Sequence, residues 1–260
     1  MGNLDGATDL VTVQSFIDYR NYRSGLSGDI APDLDTTFVY FDIDPIKPEQ
    51  VKTVELGYRT TVSDKLYIDA GLYFSRYRDF IGYNIGLDVN RGPGDTLNSV
   101  LGVDVYRYAA NSTNIVLTTG ASIGLQYYLN DKYALSGNYS FNELIKTDST
   151  DQIIPAFNTP KHKFNLGLSA RGLNLGGDNT WGFGVNYKWV QQFLFEGSPQ
   201  FTGMVPTYDL VDAQINFYID PLHTTFKLGG SNLLQNWHIE TYGGPMVGRL
   251  AYFSVLYEFN

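Results

Sequence analysis

Apolar and polar residues alternate one by one over long stretches of this chain. In the run 132–143, Tyr133, Leu135, Gly137, Tyr139 and Phe141 fall on one side of an extended strand, with Ala134, Ser136, Asn138, Ser140 and Asn142 on the other. The run 161–171 repeats the split, with His162, Phe164, Leu166 and Leu168 opposing Lys163, Asn165, Gly167 and Ser169. So does 181–189, where Trp181, Phe183, Val185, Tyr187 and Trp189 oppose Gly182, Gly184, Asn186 and Lys188. Noisier runs of the same period cover 53–62, 66–80, 115–129, 208–219, 224–231 and 249–259. The nine runs predict nine half-buried strands, and no comparable stretch favours the helical period of 3.6.

The links between runs alternate in length. Short ones sit at 62–65, 129–132, 172–179 and 219–223, each carrying turn formers, while longer ones cover about 81–110, 145–160, 190–207 and 232–247. Short turns on one side and long loops on the other are the habit of outer-membrane barrels, whose strands need only ~9–11 alternating residues to cross. A soluble β-sandwich alternates too. Three features favour the barrel: a wet face rich in Gly, Ser, Asn and Gln, aromatics near the run ends, and runs longer than the ~5–6 residues of ordinary strands.

Composition narrows the chemistry. The 260 residues carry a net charge of −9 with a pI near 4.7, which disfavours nucleic acid as a partner. There is no cysteine, so disulfides and thiolate metal sites are excluded. His162, His223 and His238 are too scattered for a metal motif, so no metal or cofactor is expected. Pairing His162 with Ser169, or His238 with Ser231, is the nearest approach to a hydrolase, and the sequence brings neither pair together; enzyme activity has no support. Candidate ligand contacts lie on the long loops: Tyr83, Asn84 and Arg91 in 81–110, Gln192, Phe193 and Phe195 in 190–207, and Trp237, His238 and Tyr242 in 232–247. The competing reading is that these aromatics pack loop against loop. Charges on the wet face, among them Arg59, Asp69, Lys163 and Lys188, are expected to pair with one another or with whatever fills the interior.

The stretch from Phe226-Lys-Leu-Gly-Gly-Ser-Asn-Leu-Leu-Gln-Asn-Trp237 through Tyr242-Gly-Gly-Pro-Met-Val-Gly-Arg-Leu-Ala-Tyr-Phe-Ser-Val-Leu-Tyr-Glu-Phe259 resembles the C-terminal end of TonB-dependent outer-membrane receptors, most of all Bacteroidetes members. Lys47-Pro-Glu-Gln-Val-Lys-Thr-Val-Glu-Leu-Gly-Tyr58 and Leu66-Tyr-Ile-Asp-Ala-Gly-Leu-Tyr-Phe-Ser-Arg-Tyr-Arg-Asp-Phe80 look like the same family. The resemblance runs from about residue 47 to the end, and its motifs are telling in their order and spacing rather than singly.

It implies an all-β fold, an antiparallel transmembrane β-barrel of which this chain is the C-terminal part, about nine strands of a 22-stranded plugged barrel. Residues 1–46 are then an extracellular loop or irregular segment and 47–260 the barrel section. It further implies the bacterial outer membrane as location and TonB-dependent uptake of a scarce solute, of the siderophore, glycan or peptide class. Plug, TonB-contacting segment and signal peptide are expected upstream of Met1. The implied partners are the TonB complex, the barrel-assembly machinery, a surface lipoprotein and a small-molecule or oligomeric solute. Tyr257 and Phe259 fit the family's terminal assembly signal, except that Asn260 follows them. The alternative function is a self-contained outer-membrane barrel acting as a passive pore or an adhesin-like binding protein.

Overall fold

The computed structural model describes residues 10–25, 37–41, 45–91, 100–112, 114–146, 157–197 and 201–259. In chain order the first elements are β1 (Val11–Thr12), α1 (Val13–Arg23), β2 (Gln50–Val62), β3 (Leu66–Arg78), β4 (Ile81–Arg91), β5 (Val100–Asn111), β6 (Val116–Tyr128) and β7 (Tyr133–Lys146). There follow β8 (His162–Gly176), β9 (Asn179–Val190), β10 (Phe193–Glu196), β11 (Thr202–Val205), β12 (Tyr208–Ile219), β13 (Thr224–Ser231) and β14 (Leu250–Tyr257). They fall into two compact units, one of Met1–Val51, Tyr77–Val116 and Lys146–Ala156, the other of Lys52–Arg76, Leu117–Ile145 and Phe157–Asn260.

The second unit is dominated by a nine-stranded sheet in the order β14-β13-β12-β9-β8-β7-β6-β3-β2. Its nine strands are the nine alternating runs. The antiparallel registers keep like faces together: Tyr139 opposes Phe164, Phe164 opposes Trp189, and Leu228 opposes Phe253. Four tight links close the hairpins. At 62–65 both Ser63 (φ 51) and Asp64 (φ 56) are left-handed, the twist-matched two-residue turn, closed by Lys65 N–H donating to the Val62 carbonyl at 3.1 Å. At 129–132 the Asn130 Oδ1 accepts from both Lys132 and Tyr133 N–H at 2.9 Å.

The apolar face of this sheet is uncovered. Leu166 is 56%, Leu228 56% and Phe253 65% exposed, where the core of a sandwich would be near zero. Aromatic rows border the face: Phe141, His162, Phe164 and Trp189 toward the long-loop ends, and Tyr133, Trp181 and Phe183 toward the short turns. From Trp181 to Trp189 is about 26 Å along the strand, or about 20 Å of membrane height at a tilt of ~40°, which covers most of the ~25 Å apolar band of such barrels.

The first unit holds a three-stranded sheet in the order β1-β4-β5 with α1 packed on it. Val11, Tyr19, Phe38, Leu87 and Val89 form its buried core. The helix was not expected from periodicity, and the reason is visible: Phe16, Tyr19 and Tyr22 turn to the core beside Ser15, but Val13 and Ile17 are exposed, so apolar residues are not confined to one face. Capping starts it instead, with Thr12 accepting from Ser15 N–H at 3.3 Å, and Arg20 and Arg23 stand in its last turn, where the helix dipole favours cations. The stretch 81–110, expected as a loop, contains the hairpin β4–β5, in register from Ile81↔Asn111 to Asn90↔Gly102; its residues 92–99, like most of 145–160 and much of 1–46, lie outside the described residues.

Candidate functional site

Side-chain alternation decides which way each loop residue points. Val190, Tyr208 and Leu210 continue the polar side of β9 and β12, the side of Lys188, Asp212 and Gln214. On that side they carry a small apolar cluster: Val190, Val205 and Tyr208 are buried, and Phe193, Phe195, Leu210 and Ile239 pack around them. The hairpin β10–β11 therefore lies against the inner face of the wall at its long-loop end. Its cross-strand pairs Phe193↔Val205 and Phe195↔Gly203 form the face turned to the wall, while Leu194↔Met204 form the other, 45% and 48% exposed. Gln192 is exposed, and its N–H donates to Thr207 Oγ1 at 2.9 Å.

The last long loop is tied down at its base. Asn232 and Asn236 exchange two 2.8 Å hydrogen bonds, Asn236 donates its side-chain amide to the Asp209 carbonyl at 3.0 Å, and Asn232 N–H donates to Asp212 Oδ1 at 2.9 Å. His238 and Val247 pair backbone to backbone and close the loop's neck. The His238 ring is buried, stacked on Tyr208 with centroids 4.4 Å apart, and its Nδ1 lies 2.9 Å from the Asn236 carbonyl. Among the described residues Nε2 has no hydrogen-bond partner, and it stands 4.0 Å from Glu240 Oε1, a carboxylate also 4.0 Å from Lys188 Nζ. Of the residues singled out in this loop, His238 thus serves as an anchor, while Trp237 is 57% and Tyr242 38% exposed.

In the first unit, Tyr83 and Asn84 sit on β4. Tyr83 is 40% exposed under the Arg107 guanidinium, 3.4 Å from the ring centroid, a cation–π contact. Asn84 Oδ1 accepts from Ile85 N–H at 2.8 Å, and its side chain hydrogen-bonds Tyr108, whose phenol burial nevertheless pushes up to about 12. Asn84 also lines a cleft with Gln14, Asp18 and Phe41. Arg91 ends β4 opposite Val100; its side chain lies outside the described residues.

The polar face of the wall shows one device twice. Tyr73 on β3 crosses Gly120 on β6 and donates to Asn142 Oδ1 on β7 at 3.0 Å. Tyr252 on β14 crosses Gly229 on β13 and donates to Gln214 Oε1 on β12 at 3.1 Å. Each ring lies flat because the strand beneath has no side chain there. Of the charges on this face, Arg59 pairs with Asp69 through Nη2 at 2.7 Å and Nε at 3.1 Å. His162 is on the other side, its Nδ1 2.7 Å from the Tyr139 hydroxyl, so alternation separates it from Ser169. At the chain's end Tyr257 closes β14 opposite Thr224, edge-on to Phe259, which is 90% exposed.

Known proteins share this arrangement. The family model described as TonB dependent receptor-like, beta-barrel matches residues 13–233. Among solved structures, the FrpB iron transporter from Neisseria meningitidis (F3-3 variant) is 14% identical with a TM-score of 0.56, covering 83% of this chain and 32% of its own. The copper transporter OprC is 18% identical with a TM-score of 0.60, covering 82% and 31%. The ferric citrate transporter FecA is 20% identical with a TM-score of 0.54, covering 79% and 31%. The chain thus spans about a third of the length of these structures, and at such identities they show the fold alone. No curated protein sequence matches it. An uncovered apolar face, nine antiparallel strands of the expected register and a family match over most of the length converge: the chain belongs to the TonB-dependent receptor-like β-barrel family.

Proposed function

We propose that this chain forms part of the wall and of the surface loops of a receptor in the bacterial outer membrane that takes up a scarce solute by TonB-dependent transport. The observation that carries the reading is the nine-stranded sheet with its apolar face exposed and its polar face inward, in a chain matched by the TonB-dependent receptor barrel family over residues 13–233. Solved structures of the same fold include iron, copper and ferric citrate transporters, which supports uptake as the activity without naming the solute. In this reading the loops 190–207 and 232–247 face the outside and meet the solute; Tyr83, Asn84 and Arg91 are candidate ligand contacts of the first unit taken by itself. The plug and the contact with TonB belong to parts of such a receptor beyond this third of its length. Tyr257 and Phe259 take part in recognition by the barrel-assembly machinery, and a surface lipoprotein is a further partner.

The test compares a deletion strain with its complemented parent in a defined medium, following depletion of each component with and without a protonophore. Uptake that requires both the gene and the energised inner membrane supports the proposal. Equal depletion in all arms, together with open conductance steps from the purified protein in planar bilayers, would favour the passive pore.

A further inference from the structure

The hairpin β4–β5 of the first unit has two features that its own packing leaves unexplained. One is electrostatic. Asp88 and Asp104 stand directly opposite each other across the pair, where like charges destabilise a sheet. Asp104 Oδ2 accepts from the Asn90 side-chain amide at 3.2 Å, and neither carboxylate has a Lys or Arg partner among the described residues. Arg107 is on the other face, over the Tyr83 ring. The imbalance extends to the whole unit: of the chain's net charge of −9 it holds −8, with 15 Asp and Glu against 7 Lys and Arg in Met1–Val51, Tyr77–Val116 and Lys146–Ala156. The other feature is an open edge. β5 is the end strand of the order β1-β4-β5, and among the described residues only β4 pairs with it. Its middle, Asp104-Val105-Tyr106-Arg107, is exposed residue after residue, so neither face is covered there. The apolar row of the core runs out at this edge: Leu87 on β4 is buried, whereas Val105 opposite it is 55% exposed.

A bare strand edge offers a row of unpaired N–H and C=O groups, which a further strand satisfies. The side chains beside the edge select that strand. On one face Asp104, with Asp88 behind it, calls for a cation; on the other Val105 calls for an apolar residue that continues the row of Leu87. Successive residues of an extended chain point to opposite faces, so the fitting sequence alternates Lys or Arg with apolar side chains. We infer that the free edge of β5 is the docking site of a basic partner protein, which adds an extended segment of alternating cationic and apolar residues as a fourth strand. Tyr106, 50% exposed on the face of Asp104, offers those cations a ring as well. A second copy of this chain fits worse, since edge-to-edge pairing would bring Asp104 toward its own copy and one −8 unit against another. The inference rests on the first unit alone and uses nothing of the uptake reading.

The test uses the full receptor in phosphatidylcholine nanodiscs, with empty discs as the reference, and two labelled, end-capped peptides of four lysines and four valines. In one the two residues alternate; in the other they stand in separate blocks. Fluorescence anisotropy should show binding of the alternating peptide and about tenfold weaker binding of the other, whose charge is equal but whose faces are mixed. Hydrogen exchange of the amides in 102–107 should slow when the alternating peptide is bound. Asp104→Lys should weaken binding about tenfold without harming the hairpin, because it turns a like-charge pair with Asp88 into an opposite one. Val105→Lys, which puts a charge into the apolar row, should act alike. Asp178→Lys, the same change of charge in the second unit, should leave binding within about twofold. Equal binding of the two peptides, unchanged exchange in 102–107, or equal losses from Asp104→Lys and Asp178→Lys overturns the site. Protection of 102–107 that rises with receptor concentration in the absence of peptide gives the edge to a second copy and overturns it too. Binding is read at equilibrium without an energised membrane, so the result of the uptake assay stands apart from it.

Discussion

A tyrosine that reaches over its neighbouring strand needs that strand to be empty beneath it. Tyr73 and Tyr252 meet this condition through Gly120 and Gly229, and each spends its hydroxyl on an amide one strand farther on. The ring shields a glycine that otherwise weakens its strand, and the hydroxyl ties three strands together. Gly229→Ala should therefore force Tyr252 off the wall and cost about 1–3 kcal/mol, the range of an overpacked site. In a Tyr252→Ala background the same change should cost far less, because the two residues share one contact. Urea midpoints of the membrane-inserted receptor measure both, and equal costs in the two backgrounds would remove this account.

Among the elements, the hairpin β10–β11 has the most to reveal. Its four-residue strands would not hold together alone. Val205, 0% exposed among Val190, Tyr208 and the two phenylalanines, is what fastens it to the wall. Val205→Ala should cost about 2 kcal/mol and speed proteolytic cleavage within 190–207, whereas Leu194→Ala on the outer face should change the rate little. Peptide mapping of limited digests distinguishes the two. The same hairpin explains why Phe193 and Phe195 look, in sequence, as eligible for ligand contact as Phe201 and Tyr242. Aromatic content is visible along the chain, but the side of a short ribbon that meets the wall is set by its register, here Phe193↔Val205.

For the whole molecule the consequential feature is the exposed apolar belt. Trp181 and Trp189 stand on the belt side of β9, and Trp237 stands on a loop. Reconstituted into vesicles, the receptor should lose fluorescence from Trp181 and Trp189 when brominated lipids replace ordinary ones, and Trp237 should keep its emission. Single-tryptophan variants assign the signals. An unquenched Trp181 and Trp189 would take the belt out of lipid and with it the barrel.

The nine strands, their faces and their short turns were legible in the sequence, because period-two alternation follows from strand geometry alone and turn residues such as Ser63-Asp64 act locally. The helix Val13–Arg23 was not, since its apolar residues are not kept to one face: Phe16, Tyr19 and Tyr22 pack on the core while Val13 and Ile17 are exposed, and Tyr19 meets Phe38 across the fold as well as Phe16 on its own helix. Nor were the glycine seats of Phe201, Tyr242 and Trp237: a ring and its glycine lie 42, 39 and 11 residues apart (243 − 201, 242 − 203 and 248 − 237), and only folding shows which backbone is left bare for which ring. Alternation sorts side chains between two environments; which distant groups then meet depends on how loops close on the wall, and that is a matter of long-range packing.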